Sequence, residues 1–151
     1  MKIGPFMIGK DGGPESNVDW VLFEIKCLFS VGVLRFTDGS REAFHSHAFN
    51  CWSWLLKGML VEQFLDTKLL SRMYFPKLAP IVTTRKNVHQ VTSCGNSYVL
   101  TFRGPWKKTW VDAEEIAGLW AVKTLTDSRK VDNVEYFYTR ELAAAYAQRI
   151  A

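Results

Sequence analysis

The feature that most constrains the fold of this 151-residue chain is a succession of short, strand-like runs separated by turn residues. Between residues 18 and 111, runs rich in Val, Leu, Ile, Phe and Trp alternate with Gly, Ser, Asn and Pro. They recur about every 8–12 residues, a spacing typical of β-sandwiches and barrels. The sequence therefore predicts a mainly β protein.

The individual strands can be assigned from β-branched and aromatic content and from turn residues. Residues 19–36 predict two strands broken near Ser30–Gly32, with one amphipathic helix as the alternative. Prolines restrict the runs at 74–76 and 80–82 to sheet edges. The Gly- and Pro-rich residues 1–17 predict an irregular lead-in. The remaining strands are expected at 42–48, 52–57, 59–65, 88–92, 97–103 and 107–111, with 88–92 and 97–103 pairing as a hairpin.

After Asp112 the pattern changes, and residues 113–120 predict a helical turn. Residues 134–138 predict a late strand. Thr139 is a suitable N-cap for a short C-terminal helix over 140–150, whose apolar stripe would be Leu142, Tyr146 and Ile150. We expect residues 1–151 to form a single domain, with the barrel at about 18–111 and the extension 112–151 packing on it.

Charge and composition narrow the class of protein. The net charge of +4 and pI near 9.0 permit anionic partners without demanding nucleic acid. No apolar run approaches the roughly 18 residues of a membrane span, and the N-terminus lacks the apolar stretch of a signal peptide. The three cysteines show no C-x-x-C spacing, which favours reduced thiols. The sequence predicts a cytoplasmic protein without a membrane partner.

The strongest functional signal is the motif His45-Ser46-His47. Residues two apart on a strand point the same way, so both imidazoles are expected on one face. His89 is the only other histidine and lies on a later strand-like run, so all three can meet at one point. Three imidazoles suit Fe(II), Mn, Ni or Zn, and three ligands leave open positions for water or substrate. The alternative is a barrel that retains these histidines without an ion.

The spacing around these histidines resembles the first motif of the cupin superfamily. Gly39 is followed by five residues, His45-Ser46-His47, three residues, Cys51, six residues and Gly58. Only Cys51 departs from the pattern, because cupins carry a glutamate there. His89 occupies the position of the second-motif histidine, although the accompanying glycine, proline and asparagine are replaced by Lys86, Thr84 and Ser93. The resemblance extends over roughly residues 30–110 and is closest to small single-domain cupin-like proteins of bacteria and phages.

That resemblance implies a double-stranded β-helix, the jelly-roll barrel, with a ligand site in its mouth. It also implies a divalent metal ion on His45, His47 and His89, with Fe(II) as the leading choice. The expected function is a metal-dependent, dioxygenase-like reaction on a small polar molecule. A cupin that only binds a small molecule or nucleotide, possibly phage-encoded in origin, is the alternative, and a homodimer is compatible with either.

Three further residues are site candidates. Cys51 stands at the position of the cupin glutamate and is a candidate fourth ligand, or else a small buried core residue. Glu62 follows Gly58 on the returning strand and is a second candidate ligand, or else a solvated side chain. Arg103 would share a face with Thr101 and is a candidate catalytic residue that anchors a substrate carboxylate, or else an exposed strand end.

A basic and aromatic cluster at residues 85–87 and 103–110 raises a third possibility. Cations that alternate with tryptophans can contact phosphates and stack on bases. Solvated strand ends with aromatic packing explain the same cluster, so nucleic-acid binding is the least favoured function.

Overall fold

The computed structural model describes residues 2–3, 5–10, 16–25, 27–40, 43–66, 71–126 and 130–151. Strands dominate this part of the chain, and one helix, α1 (Arg140–Ile150), follows them. The prediction of a mainly β fold with a short C-terminal helix is confirmed. The strands are β1 (Lys2–Ile3), β2 (Phe6–Lys10), β3 (Val18–Ile25), β4 (Phe29–Phe36), β5 (Gly39–Ser40), β6 (Phe44–His45), β7 (Cys51–Lys57), β8 (Leu60–Phe64), β9 (Ser71–Tyr74), β10 (Ile81–Thr83), β11 (His89–Ser93), β12 (Ser97–Arg103), β13 (Thr109–Ile116), β14 (Leu119–Thr126) and β15 (Val131–Phe137).

Within the described residues these strands form two antiparallel sheets. The first sheet has the order β1-β2-β3-β4-β12-β7-β10. The second has the order β15-β14-β13-β6-β11-β8-β9, and β5 pairs with β11 beside that path. At the centre of both sheets, from β4 to β10 in the first and from β13 to β8 in the second, neighbouring strands are distant in sequence, as in a jelly roll. The inner walls of the two sheets enclose a cavity, and this arrangement brings distant residues to one site.

The predicted hairpin between the strands at 88–92 and 97–103 is wrong. β11 and β12 exist where they were predicted, but they do not form a hairpin with each other. β11 pairs with β8 and β6 in the second sheet, whereas β12 pairs with β4 and β7 in the first. The connection between them therefore crosses from one sheet to the other, because a jelly roll alternates its strands between two sheets.

Two boundaries near the N-terminus also differ from prediction. Much of the expected irregular lead-in forms β1 and β2, and residues 11–15 lie outside the described residues. The break between β3 and β4 falls before Phe29 rather than at Ser30–Gly32. Gly32 lies inside β4 because a Cβ there would lie 2.2 Å from the Val21 carbonyl oxygen. The glycine marks a close approach of two strands, not a turn.

The predicted strand at 42–48 is much shorter in the structure. Only Phe44–His45 form β6, and residues 41–42 lie outside the described part of the chain. The predicted helical turn at 113–120 is wrong, because β13 and β14 form a hairpin there. Ala117 and Gly118 both adopt positive φ at its tip, as a two-residue hairpin turn requires.

The C-terminal helix covers one end of the second sheet. Thr139 caps it, as predicted, by accepting a hydrogen bond from the Leu142 backbone N–H. The helix buries Ala143, Ala144 and Ala147 among the side chains of β13 and β14, whereas Leu142 is exposed. The small alanines allow the helix to lie close to the sheet. Within the described residues no helix has the length and hydrophobicity needed to cross a membrane.

Candidate metal centre

Three imidazoles converge inside the barrel mouth. His45 ends β6 and His89 begins β11, and the two residues are direct cross-strand partners in the second sheet. His47 follows two residues after His45. The three ring centroids lie 5.0–5.2 Å apart, and one ligand atom from each residue lies within 4.8 Å of the others. Among the described residues this is the one group of three or more His, Cys, Asp or Glu side chains that close.

The chain after β6 is held in place by hydrogen bonds to β13 and to the segment before it. The Ser46 backbone N–H donates to the Val111 carbonyl oxygen, and the Val111 N–H donates to Ser46 Oγ. The Ala48 carbonyl accepts from the Lys107 N–H. The serine between the two histidines therefore fixes the backbone so that His47 remains on the side of His45 after the strand has ended.

The distance between two of the rings suits an ion. His47 Nε2 and His89 Nε2 lie 2.9 Å apart. With metal–nitrogen bonds of about 2.0–2.1 Å, two ligands at a right angle have nitrogens roughly 2.9 Å apart, and tetrahedral ligands roughly 3.4 Å. The same separation also suits a hydrogen bond, which would link the two rings when no ion is bound.

The carboxylate of Glu62 orients His89. Glu62 lies on β8, and its Oε1 contacts His89 Nδ1. We assign the proton to Nδ1, since this nitrogen faces a carboxylate, and this leaves a lone pair on Nε2 toward the other histidines. The Tyr74 hydroxyl donates to Glu62 Oε2 at 2.5 Å, so both carboxylate oxygens already have partners.

These contacts shift the pKa values of Glu62 and Tyr74. Burial alone would raise the pKa of Glu62, but the hydrogen bond and charge of His89, with help from Tyr74 and Arg72, lower it below its ordinary value. Burial and the adjacent Glu62 carboxylate raise the pKa of Tyr74 to about 12. Glu62 is therefore a carboxylate and Tyr74 a neutral hydrogen-bond donor at neutral pH.

A cavity of about 90 Å³ opens beside the imidazoles, between the two sheets. Since a buried water needs roughly 10–15 Å³ by this measure, the cavity has room for about half a dozen waters or a small organic molecule. Apolar residues form one part of its wall, including Leu34, Phe36 and Val99. The part nearest Arg103 is polar and includes Cys51, Ser53, Thr83 and Thr101.

Arg103 lies inside the barrel and not at an exposed strand end. Its side chain is buried at the end of β12, on the same face as Thr101, Val99 and Ser97. The guanidinium carbon lies 4.7 Å from the centre of the Phe49 ring, and Phe49 stacks on His47 at 5.3 Å. The Phe49 ring therefore contacts both the Arg103 cation and His47.

Cys51 also lines the cavity but is not part of the histidine group. It is the cross-strand neighbour of Arg103 and Thr83. Burial raises the pKa of the Cys51 thiol, and hydrogen bonds from Ser53 and the charge of Arg103 only partly offset this effect. In the absence of an ion the thiol is therefore neutral at physiological pH. The predictions that Cys51 or Glu62 ligates the metal stay predictions.

The tryptophans of the basic and aromatic cluster pack against neighbouring rings, whereas its lysines Lys86, Lys107 and Lys108 are exposed. Trp106 packs edge-on against Phe49, and Trp110 packs edge-on against Trp106. Arg103 faces the cavity, so this cation is not part of an outer row of cations and rings. Packing explains these tryptophans better than base stacking does.

Sequence reasoning missed two residues that shape the site. Tyr74 was assigned only to an edge piece, because the register of β9 against β8 has no local signal. Phe49 lies in the motif region, but nothing in the sequence showed that it would lie between Arg103 and His47.

Comparison with known proteins agrees with this architecture. No protein-family model matches the chain, and no curated protein matches it significantly. Among solved structures, a proposed ethanolamine utilization protein Q from Salmonella typhimurium matches 66% of this chain and 80% of its own, with a TM-score of 0.53 and 10% identity. KdgF from Halomonas sp. matches 65% of this chain and 87% of its own, with a TM-score of 0.50 and 12% identity.

The cupin domain of Cnp3 from Schizosaccharomyces pombe also matches, with a TM-score of 0.49 and 14% identity, over 60% of this chain and 66% of that one. At such low identities, the two matches with a TM-score of 0.50 or more establish the fold alone. The chain has a cupin-like fold, a double-stranded β-helix with a C-terminal helix, as the sequence predicted. Its three neighbouring histidines form a group that can hold a divalent metal ion.

Proposed function

We propose that this protein is a metal-dependent enzyme of the dioxygenase type that acts on a small carboxylate inside the barrel. His45, His47 and His89 would hold the ion, with Fe(II) as the first choice and Mn, Ni or Zn as alternatives. The observation that carries the proposal is the convergence of all three histidines of the chain on one point beside a cavity. We place the protein in the cytoplasm.

The donor set fits such an ion. All three candidate ligands are imidazoles, and Glu62 is hydrogen-bonded to His89 and Tyr74. A carboxylate that orients a ligating histidine is a common outer contact of metal sites. Fe(II), when bound, would supply redox chemistry with O₂ and open coordination positions facing the cavity. Because a dioxygenase transfers both oxygen atoms to its substrate, this reaction needs no external reductant.

Arg103 would select the substrate. Its side chain is buried and lines the cavity, where Cys51, Ser53 and Thr101 are its polar neighbours. A guanidinium in such a place binds a carboxylate through two parallel hydrogen bonds. Phe49 contacts both the guanidinium and His47, so a carboxylate bound to Arg103 would lie beside this ring in the cavity.

Elemental analysis of freshly purified, untagged protein tests the metal site. We expect about one equivalent of iron, manganese, nickel or zinc per chain, falling below about a tenth of that in His45→Ala, because two imidazoles bind a divalent ion far more weakly than three. Gln90→Ala, which changes the neighbour of His89, is the matched control and should retain the metal. Wild-type protein that stays metal-free after anaerobic addition of Fe(II) would contradict the proposal.

Oxygen uptake then separates an enzyme from a protein that only binds its ligand. Iron-loaded protein is supplied with a panel of small carboxylic acids and with their amides. Uptake that requires the carboxylate, and that Arg103→Ala weakens mainly through KM, would support the proposal. Metal binding with ligand binding but without oxygen uptake would favour the non-catalytic alternative.

A further inference from the structure

The wall of the cavity changes from polar to apolar along the barrel. On β12, inward and outward side chains alternate, so Arg103, Thr101 and Val99 face the cavity in that order. Arg103 is the cross-strand neighbour of Cys51 on β7, and Val99 is the cross-strand neighbour of Leu34 on β4. Arg103 lies four residues after Val99, which corresponds to about 13 Å along the strand. The cavity therefore has a polar end at Arg103 and an apolar end at Val99.

The apolar end is formed by hydrocarbon side chains from both sheets. Leu34, Phe36 and Val99 belong to the first sheet, and Leu60 and Val91 belong to the second. Because these side chains have no hydrogen-bonding atoms, a polar group of a ligand would lose its water there without a replacement. A hydrocarbon group would instead be stabilised in proportion to the area that it buries.

Polar side chains between the two ends are already hydrogen-bonded to one another. Ser53 Oγ donates to Thr101 Oγ1 at 3.2 Å. In the second sheet, the Tyr74 hydroxyl donates to one carboxylate oxygen of Glu62, and the other oxygen contacts His89. Hydroxyl groups along a ligand would have to compete with these bonds. The middle of the cavity thus favours a ligand that has no polar groups along its chain.

We propose that the substrate is an amphipathic monocarboxylic acid, whose carboxylate binds Arg103 and whose hydrocarbon tail occupies the apolar end of the cavity. The inference rests on the proposed function, because it adopts the carboxylate contact of Arg103 and adds what lies at the other end of the substrate. It excludes sugar acids and other polyhydroxylated acids, which would present hydroxyl groups to Leu34, Phe36 and Val99.

The volume of the cavity limits the length of the tail. The cavity measures about 90 Å³. With roughly 10–15 Å³ for each water-sized group by this measure, the cavity accepts about six to nine non-hydrogen atoms. Saturated acids from butanoate to heptanoate have this size. Hexanoate is therefore a suitable probe for a filled cavity, whereas the tail of decanoate exceeds it.

Isothermal titration calorimetry of the protein as purified, without oxygen so that no acid is consumed, tests the substrate class. We expect affinity to rise about fourfold for each methylene from butanoate to hexanoate, and to stop rising by decanoate. Hexanamide should bind at least about tenfold more weakly than hexanoate, because it lacks the charge that pairs with Arg103. Gluconate has the same carboxylate on a hydroxylated six-carbon chain, and it should bind at least about 100-fold more weakly than hexanoate.

Substitutions on β4 identify the position of the tail. Leu34→Phe fills part of the apolar end, so it should weaken hexanoate binding at least about tenfold and butanoate binding less than about threefold. Val33→Phe, at the adjacent outward position that is 40% exposed, is the matched control and should change neither affinity. Arg103→Ala should weaken the binding of both acids at least about tenfold. Circular dichroism shows whether each variant is folded. If Leu34→Phe is unfolded, Leu34→Ala replaces it and should shift the preference toward a longer acid.

Equal affinity for butanoate and hexanoate, tighter binding of gluconate than of hexanoate, or equal effects of Leu34→Phe and Val33→Phe would overturn the inference. The absence of binding by every acid would overturn it together with the Arg103 contact. The metal and oxygen measurements fail separately. Protein that binds the acids in the expected order but holds no metal would contradict the proposed function and support this inference. Protein that holds iron and takes up oxygen with gluconate as its preferred acid would contradict this inference alone.

Discussion

On the first sheet, the side chains that point into the barrel include Ser30, Ser53, Ser97, Thr101 and Arg103, whereas two full rows pointing outward are apolar. The inner face also carries apolar residues, including Leu22, Leu55 and Val99, so the unusual feature is the apolar outer face, since the solvent side of an antiparallel sheet is usually polar. Polar groups inside a barrel are costly to bury unless they are hydrogen-bonded, as Ser53 is to Thr101. Apolar groups outside are tolerated where another surface covers them.

The second sheet provides the contrasting case. There the helix α1 covers β13 and β14, and Arg140 ties the helix to the sheet by donating to the carbonyl oxygens of Phe64 and Leu65. The chain thus covers part of the outer face of one sheet itself and leaves that of the other open. Several residues on the outer face of the first sheet are therefore exposed, whereas the polar part of its inner face lines the cavity.

The sharpest test of the two faces uses adjacent residues of β12. Val99 points inward and is 3% exposed, while Leu100 points outward and is 36% exposed. Val99→Asp should destabilise the fold by about 3–5 kcal/mol, because it buries an unpaired charge among Leu55 and Leu60. Leu100→Asp should change the stability of the single chain by less than about 0.5 kcal/mol. Urea unfolding measures the change in free energy of unfolding for both variants, at protein concentrations low enough to keep them monomeric.

Equal destabilisation by the two variants would break the comparison. It would mean that the outer face is already packed against part of the same chain, and the surface would then not be available to a partner.

A smaller effect is expected for Glu62→Gln, which keeps the shape of the side chain but removes its charge. Because His89 would lose the carboxylate that orients its ring, metal affinity should fall about 10- to 100-fold. Competition with a chelator measures the affinity. Gln63→Asn, at the next position of β8 and exposed to solvent, is the matched control. Complete loss of metal in Glu62→Gln would instead favour the prediction that Glu62 is itself a ligand.

The sequence was sufficient for those features that depend on local pattern. The common face of His45 and His47 and the strand-like runs follow from the alternation of side chains along a strand. The Thr139 cap follows from the preference for threonine at the N-cap of a helix. It could not show that β11 and β12 belong to different sheets, since pairing depends on residues far apart in the chain. For the same reason the link from Tyr74 through Glu62 to His89 was not visible.

The apolar outer face of the first sheet was not recognised from the sequence for a further reason. The run from β3 to β4 is apolar at nearly every position, so alternation could not separate its inner from its outer residues. Only the register identifies Leu22 as buried core and Val21 as half-exposed surface. The position of Arg103 was open for the same reason, because a residue at the end of a strand can face either way.

The smallest expected effect is a difference in cysteine reactivity between the interior and the surface. Cys51 is buried with a pKa raised above its ordinary value of 9.0, whereas Cys27 and Cys94 are exposed. The thiolate is the reactive form, so iodoacetamide at pH 7.5 should label Cys27 and Cys94 at least about ten times faster than Cys51 in metal-free protein. Mass spectrometry of tryptic peptides measures the three rates. Because the raised pKa favours the neutral thiol in the folded chain, its contribution to stability is complete below pH 9 and is lost as the pH rises further. Rapid labelling of Cys51 at pH 7.5 would show that the interior is open to solvent, and the contrast between the two faces of the first sheet would then lose its physical basis.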